Sequence, residues 1–80
     1  MRRFLLHNRH APHECGVTYA AFKGHATPLR RQQAKSSCVS GGHEIWWLVE
    51  ADDADSALAL LPPYVAERST ATPVREVLIP

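Results

Sequence analysis

Phe4 and Leu6 alternate with Leu5 and His7, so Arg3 to His7 reads as a strand with two distinct faces. Cys15, Tyr19 and Phe22 then recur at spacings of four and three, which is one face of a helix that Val17, Ala20 and Ala21 widen. Pro12 suits the first turn of that helix, where its missing N–H is not needed, and Gly24 suits its end. His25 to Lys35 is a polar connection, and Ser36 to Ser40 a weak second strand. Gly41-Gly42 marks a hairpin turn. From His43 to Glu50 the alternation is strongest: Ile45, Trp47 and Val49 share one face, and Glu44, Trp46, Leu48 and Glu50 the other. Asp52-Asp53 supplies an N-cap for a second helix, whose buried stripe is Ala54, Ala57, Leu58 and Leu61. Pro62-Pro63 stops or kinks it. Thr72 to Ile79 reads as a last strand with Pro73 near its start.

The order β-α-β-β-α-β predicts a single α+β domain over residues 1–80, of the ferredoxin-like, split βαβ arrangement. Right-handed crossovers then give a four-stranded antiparallel sheet in the order 4-1-3-2, with both helices on one face. In that topology the end of the first strand, the start of the first helix, the hairpin turn and the exit of the second helix share one end of the sheet. His7, His10, His13, Glu14, Cys15, Cys38 and His43 therefore belong to that end, and only His25 among the histidines and cysteines falls at the other.

Imidazole and thiolate groups converging on one point suit zinc, nickel or copper. The candidate metal ligands are His7, His10, His13, Cys15, Cys38 and His43. His10 and His13 flank the helix start, and Cys38 and His43 reach over from the hairpin. Each residue also has a plainer reading. Cys15 suits a buried place on the helix's inner face. His10 and His13 suit a solvated loop, His7 and His43 a hydrogen-bonded pair on adjacent strands, and Glu14 a complement to the helix dipole.

Eighty residues form a small core, burying roughly 60% of the unfolded surface. A bound ion or a partner chain is a common supplement at that size. The net charge of +1 is made of interspersed acids and bases, with no basic stripe or nucleic-acid-binding motif, so nucleic acid is not the expected partner. The apolar run Phe4-Leu5-Leu6 is too short for a signal peptide and no stretch is long enough to span a membrane, so a cytoplasmic protein is expected. There the two cysteines are expected as thiols, ligands or redox groups rather than as a structural bridge.

Trp46 and Trp47 must point to opposite faces. Trp47 goes to the core, and Trp46 to the open face with Leu48 and Leu5, an apolar surface best covered by a second copy of the chain. The segments Asp53-Ala54-Asp55-Ser56-Ala57-Leu58-Ala59-Leu60-Leu61-Pro62-Pro63-Tyr64-Val65 and Val74-Arg75-Glu76-Val77-Leu78-Ile79-Pro80 resemble the C-terminal half of dimeric α/β-barrel proteins. That superfamily includes muconolactone isomerase-like, YCII-like, antibiotic-biosynthesis monooxygenase-like and small nickel-binding bacterial proteins. The resemblance implies a homodimer with facing sheets and a pocket, and no particular reaction.

Three functions are therefore expected in rivalry. The first is a transition-metal-binding protein with a His/Cys site at one end of the sheet. The second is a dimeric-barrel enzyme, isomerase-like or monooxygenase-like, with His7 or His43 as general base, Trp46 lining an apolar pocket and Arg30 holding an anionic group of a small organic substrate. The third is a thiol redox protein in which Cys15 reacts and Cys38 resolves.

Overall fold

A computed structural model describes residues 1–80. Strand β1 (Arg2–Arg9) is followed by a 3-10 turn, Pro12–Glu14, that leads directly into helix α1 (Cys15–Ala20). Strand β2 (Lys35–Ser36), a second 3-10 turn (Cys38–Ser40) and strand β3 (Glu44–Ala51) form the hairpin. Helices α2 (Ala54–Leu58) and α3 (Pro63–Ala66) precede strand β4 (Ser69–Pro73). All strand pairs are antiparallel and the sheet order is β2-β3-β1-β4, which is 4-1-3-2 read from the other edge. No helix is long and apolar enough to cross a membrane.

The β1–β3 ladder fixes the two faces. Leu6 pairs with Trp47, Phe4 with Val49 and Asn8 with Ile45. These residues are buried, together with Ala57, Leu61 and Val65 from the helical side. Phe22, in the turn after α1, brings its ring to 5.9 Å from that of Trp47. The opposite face carries Leu5 beside Leu48 and His7 beside Trp46. Leu48 is 59% exposed, so that face is open, as the alternation predicted.

Element ends differ from expectation, each for a local reason. The first helix is shorter, because the tight turn at Pro12 uses its first residues and Ala21 to Gly24 unwinds into turns; Gly24 adopts a φ of +78°. The second strand is Lys35–Ser36 rather than Ser36–Ser40, because the chain already turns at Cys38. The Asp53 side chain does cap α2, accepting from the Ser56 N–H at 2.7 Å. The last strand is Ser69–Pro73 rather than Thr72–Ile79. The chain reaches β1 directly after α3, with the Arg9 N–H donating to the Arg68 carbonyl at 3.0 Å, so pairing begins opposite Asn8. It ends where the Val74 N–H meets the Arg3 carbonyl and β1 runs out. Val77, Leu78 and Ile79 therefore have no strand to join and are exposed.

Candidate metal centre

His10 follows the end of β1, its N–H bonded to the His43 carbonyl at 3.2 Å. Cys15 opens α1, while Cys38 and His43 bracket the turn between β2 and β3. Two backbone features shape that turn. Gly41 has a φ of +86° and closes the 3-10 turn through its N–H to the Cys38 carbonyl. At Gly42 a Cβ would lie 2.3 Å from Ser37 Oγ, so a side chain does not fit. His43 itself has a φ of +56°, an uncommon conformation that costs on the order of 1–3 kcal/mol and is concentrated at functional sites.

One donor atom from each of His10, Cys15, Cys38 and His43 lies within 4.8 Å of all the others. His10 Nε2 is 3.3 Å from Cys15 Sγ and 3.3 Å from Cys38 Sγ, and His43 Nδ1 is 3.0 Å from Cys15 Sγ. A zinc tetrahedron with bonds of about 2.3 Å to sulfur and 2.0–2.1 Å to nitrogen has S···N edges near 3.6 Å. The four groups fit such an ion with small side-chain adjustments. Both cysteines are free and half-buried.

His10 is held from behind. Asn8 Oδ1 lies 2.7 Å from its Nδ1, and Asn8 is completely buried. The Asn8 Nδ2 donates to the Val65 carbonyl, the Arg68 carbonyl and Ser69 Oγ at 3.3, 3.4 and 3.1 Å. Burial, and then the neighbouring His43, hold the His10 imidazole below its ordinary pKa; Glu14 offsets part of that. Its neutral, ligating form is thus favoured.

The two thiols are unlike. Burial, then hydrogen bonding to Cys38 and the charge there, push Cys15 up. Burial raises Cys38 as well, but hydrogen bonds from Ser36, Tyr19, Cys15 and its own N–H outweigh it, and the net is a lowered thiol. Tyr19 and Ser36 also bond each other, hydroxyl to hydroxyl, at 2.8 Å.

Glu14 is not a donor to the centre but a clamp beside it. Its Oε1 accepts from the Ala11 N–H at 2.9 Å, and its Oε2 from Arg68 Nε at 3.0 Å and from the Tyr64 hydroxyl. The Arg68 guanidinium lies 3.8 Å from the Tyr64 ring centroid. The hydrogen bond from Tyr64, then that from the Ala11 N–H, with Arg68 assisting, hold the Glu14 carboxyl at about 2.

Of the six expected ligands, four come together and two do not. His7 lies on the open face, stacked on Trp46 at 5.1 Å, with Nε2 2.6 Å from Glu44 Oε1. Its pairing with His43 is therefore not formed; Glu44 is its partner. His13 points outward from the 3-10 turn and is exposed. Of the two candidate bases, His43 thus sits in the metal cluster and His7 on the other face of the sheet. Trp46 and Arg30 do not share a pocket: Trp46 lines a groove of about 810 Å³ with Leu5, Leu29 and Leu48, whereas Arg30 lines one of about 470 Å³ with Tyr19 and Phe22.

Asn8 and the Glu14–Tyr64–Arg68 clamp carry no sequence motif. Asn8 was nonetheless legible as a polar residue at an inward position of β1, in phase with Phe4 and Leu6. The ligand spacing is also symmetric once the four are known, with four residues between His10 and Cys15 and four between Cys38 and His43. Comparison of the chain with family models, with curated proteins and with solved structures gives no match.

Proposed function

We propose that the protein binds a transition-metal ion through His10, Cys15, Cys38 and His43, and that zinc is the ion the site suits best. The convergence of the four donor atoms within 4.8 Å carries this reading. Two thiolates and two imidazoles in a tetrahedral set favour zinc over nickel in its square-planar geometry. Four protein ligands close the shell, which is the mark of a structural or storage ion rather than a catalytic one with an open position. Paired free thiols fit a reducing compartment such as the cytoplasm. The test is metal analysis of protein purified without a histidine tag, with apo protein then titrated with zinc, nickel and cuprous ion. The expected result is one zinc per chain, lost in His10→Ala and Cys38→Ser and kept in His7→Ala and His13→Ala. A folded protein indifferent to all three ions sinks the reading.

The sheet order and the open face also support a ferredoxin-like chain that pairs with a second copy. In the β1–β3 register Arg3 lies opposite Glu50 and Arg9 opposite Glu44, with Leu5–Leu48 and His7–Trp46 between them. A second copy turned about a twofold axis parallel to the strands lays β1 over the other chain's β3. Arginine then meets glutamate and leucine meets leucine. The His7–Glu44 pair with Trp46 beside it favours a second reading, in which that face holds a small organic substrate and His7 is the base.

A further inference from the structure

We propose that Cys15 and Cys38 form a peroxide-sensitive pair whose closure to a disulfide expels the bound ion. This rests on the metal reading above. Two observations support it. The two sulfurs belong to one cluster whose donor atoms all lie within 4.8 Å, so closure needs a displacement of a few ångströms at most. The sulfurs stand on different footings: Cys15 opens α1, whereas Cys38 is carried by the turn that runs through Val39, which is 98% exposed, to Gly41 and Gly42. Solvent therefore reaches the residue next to Cys38.

The chemistry balances with hydrogen peroxide as the oxidant. The Cys38 thiolate attacks one peroxide oxygen; the O–O bond breaks, hydroxide leaves and Cys38 becomes a sulfenic acid. The Cys15 thiolate then attacks the Cys38 sulfur, the S–O bond breaks and a second hydroxide leaves. Two protons from solvent convert the hydroxides to water. Two thiolates are oxidised, one peroxide is reduced, and the ion loses two of its four ligands.

The test uses the full chain, reduced and loaded with zinc, treated with hydrogen peroxide beside a chromophoric zinc indicator. The expected result is release of one zinc per chain in step with loss of both thiols, an intramolecular Cys15–Cys38 disulfide in the peptide map, and recovery of zinc binding after reduction. On metal-free protein treated with hydrogen peroxide, dimedone traps a sulfenic acid at Cys38 in Cys15→Ser, and a folded variant that forms none overturns the inference. That arm holds even if the variant takes up no zinc. A loaded protein that keeps its zinc while thiols are consumed, or that yields sulfinic acid or chain-to-chain links instead of the internal bond, overturns this inference and leaves the metal reading intact. A chain that never takes up zinc overturns both.

Discussion

Asn8 Oδ1 accepts a hydrogen bond from His10 Nδ1 at 2.7 Å, and this contact decides which nitrogen of His10 faces the two thiols. The Asn8 amide cannot be turned over, because Oδ1 would then oppose the Val65 and Arg68 carbonyl oxygens. The ring proton is therefore on Nδ1, and the Nε2 lone pair points at Cys15 and Cys38. Partners behind a metal-binding histidine commonly change affinity by about 10–100-fold when removed. Asn8→Ala is expected to lower zinc affinity by about that much in a chelator competition. In the apo protein it leaves the His10 Nδ1–H without its buried acceptor, at about 1–3 kcal/mol in a urea titration. Unchanged affinity in a folded variant would show that His10 needs no such support.

Metal uptake is expected to be proton-linked. A ligating thiol gives up its proton, and His10, held below its ordinary value, is already neutral near pH 7. Where both thiols are protonated, affinity falls about 100-fold for each pH unit downward; between their two values it falls about tenfold. Proton release on loading, followed in a weakly buffered solution, measures the number directly. Release of none would mean that the sulfurs do not ligate.

Glu14 makes a separate pH prediction for the apo protein. Its carboxyl is held at about 2 against an ordinary 4.5. A depressed carboxylate contributes stability that is complete above the unfolded value and is lost as pH falls through the folded one. The urea midpoint of apo protein is therefore expected to drop between about pH 4.5 and 2. Glu14→Gln should be less stable at neutral pH, with a flatter acid limb. Superimposable midpoint-against-pH curves for the two proteins would remove the clamp from the stability account.

The open face gives a fourth prediction. If a second copy covers it, Leu48→Asp places a charge opposite an apolar partner and weakens self-association by at least about tenfold, or roughly 1.4 kcal/mol. Light scattering is expected to give a dimer for the native chain and a monomer for Leu48→Asp, with zinc stoichiometry unchanged. A native chain that stays monomeric at high concentration excludes this pairing.

Much of the architecture was legible because it depends on alternation. Phe4/Leu6 and Ile45/Trp47/Val49 set the inward faces, and the element order set which loops share an end of the sheet. The same alternation already spoke against His7 as a ligand, since it is in phase with Leu5 and not with Leu6. Proximity of loops is a coarser property than direction of side chains, and the expected ligand set used only the first. His13 failed for a related reason: the tight 3-10 turn at Pro12 rotates it outward while bringing Glu14 back to Ala11. The last strand was misplaced because Val77, Leu78 and Ile79 have strand propensity, but pairing depends on where β1 ends.

The brevity of β2 has a consequence for how the ion acts. Only two residues of that strand join the ladder, yet the hairpin they begin carries half of the donor set. The corner of the molecule with the fewest cross-strand bonds is thus the one that an ion would fasten to β1 and α1. Metal loading would then act less on the central sheet than on this corner, adding cross-links where the ladder supplies few.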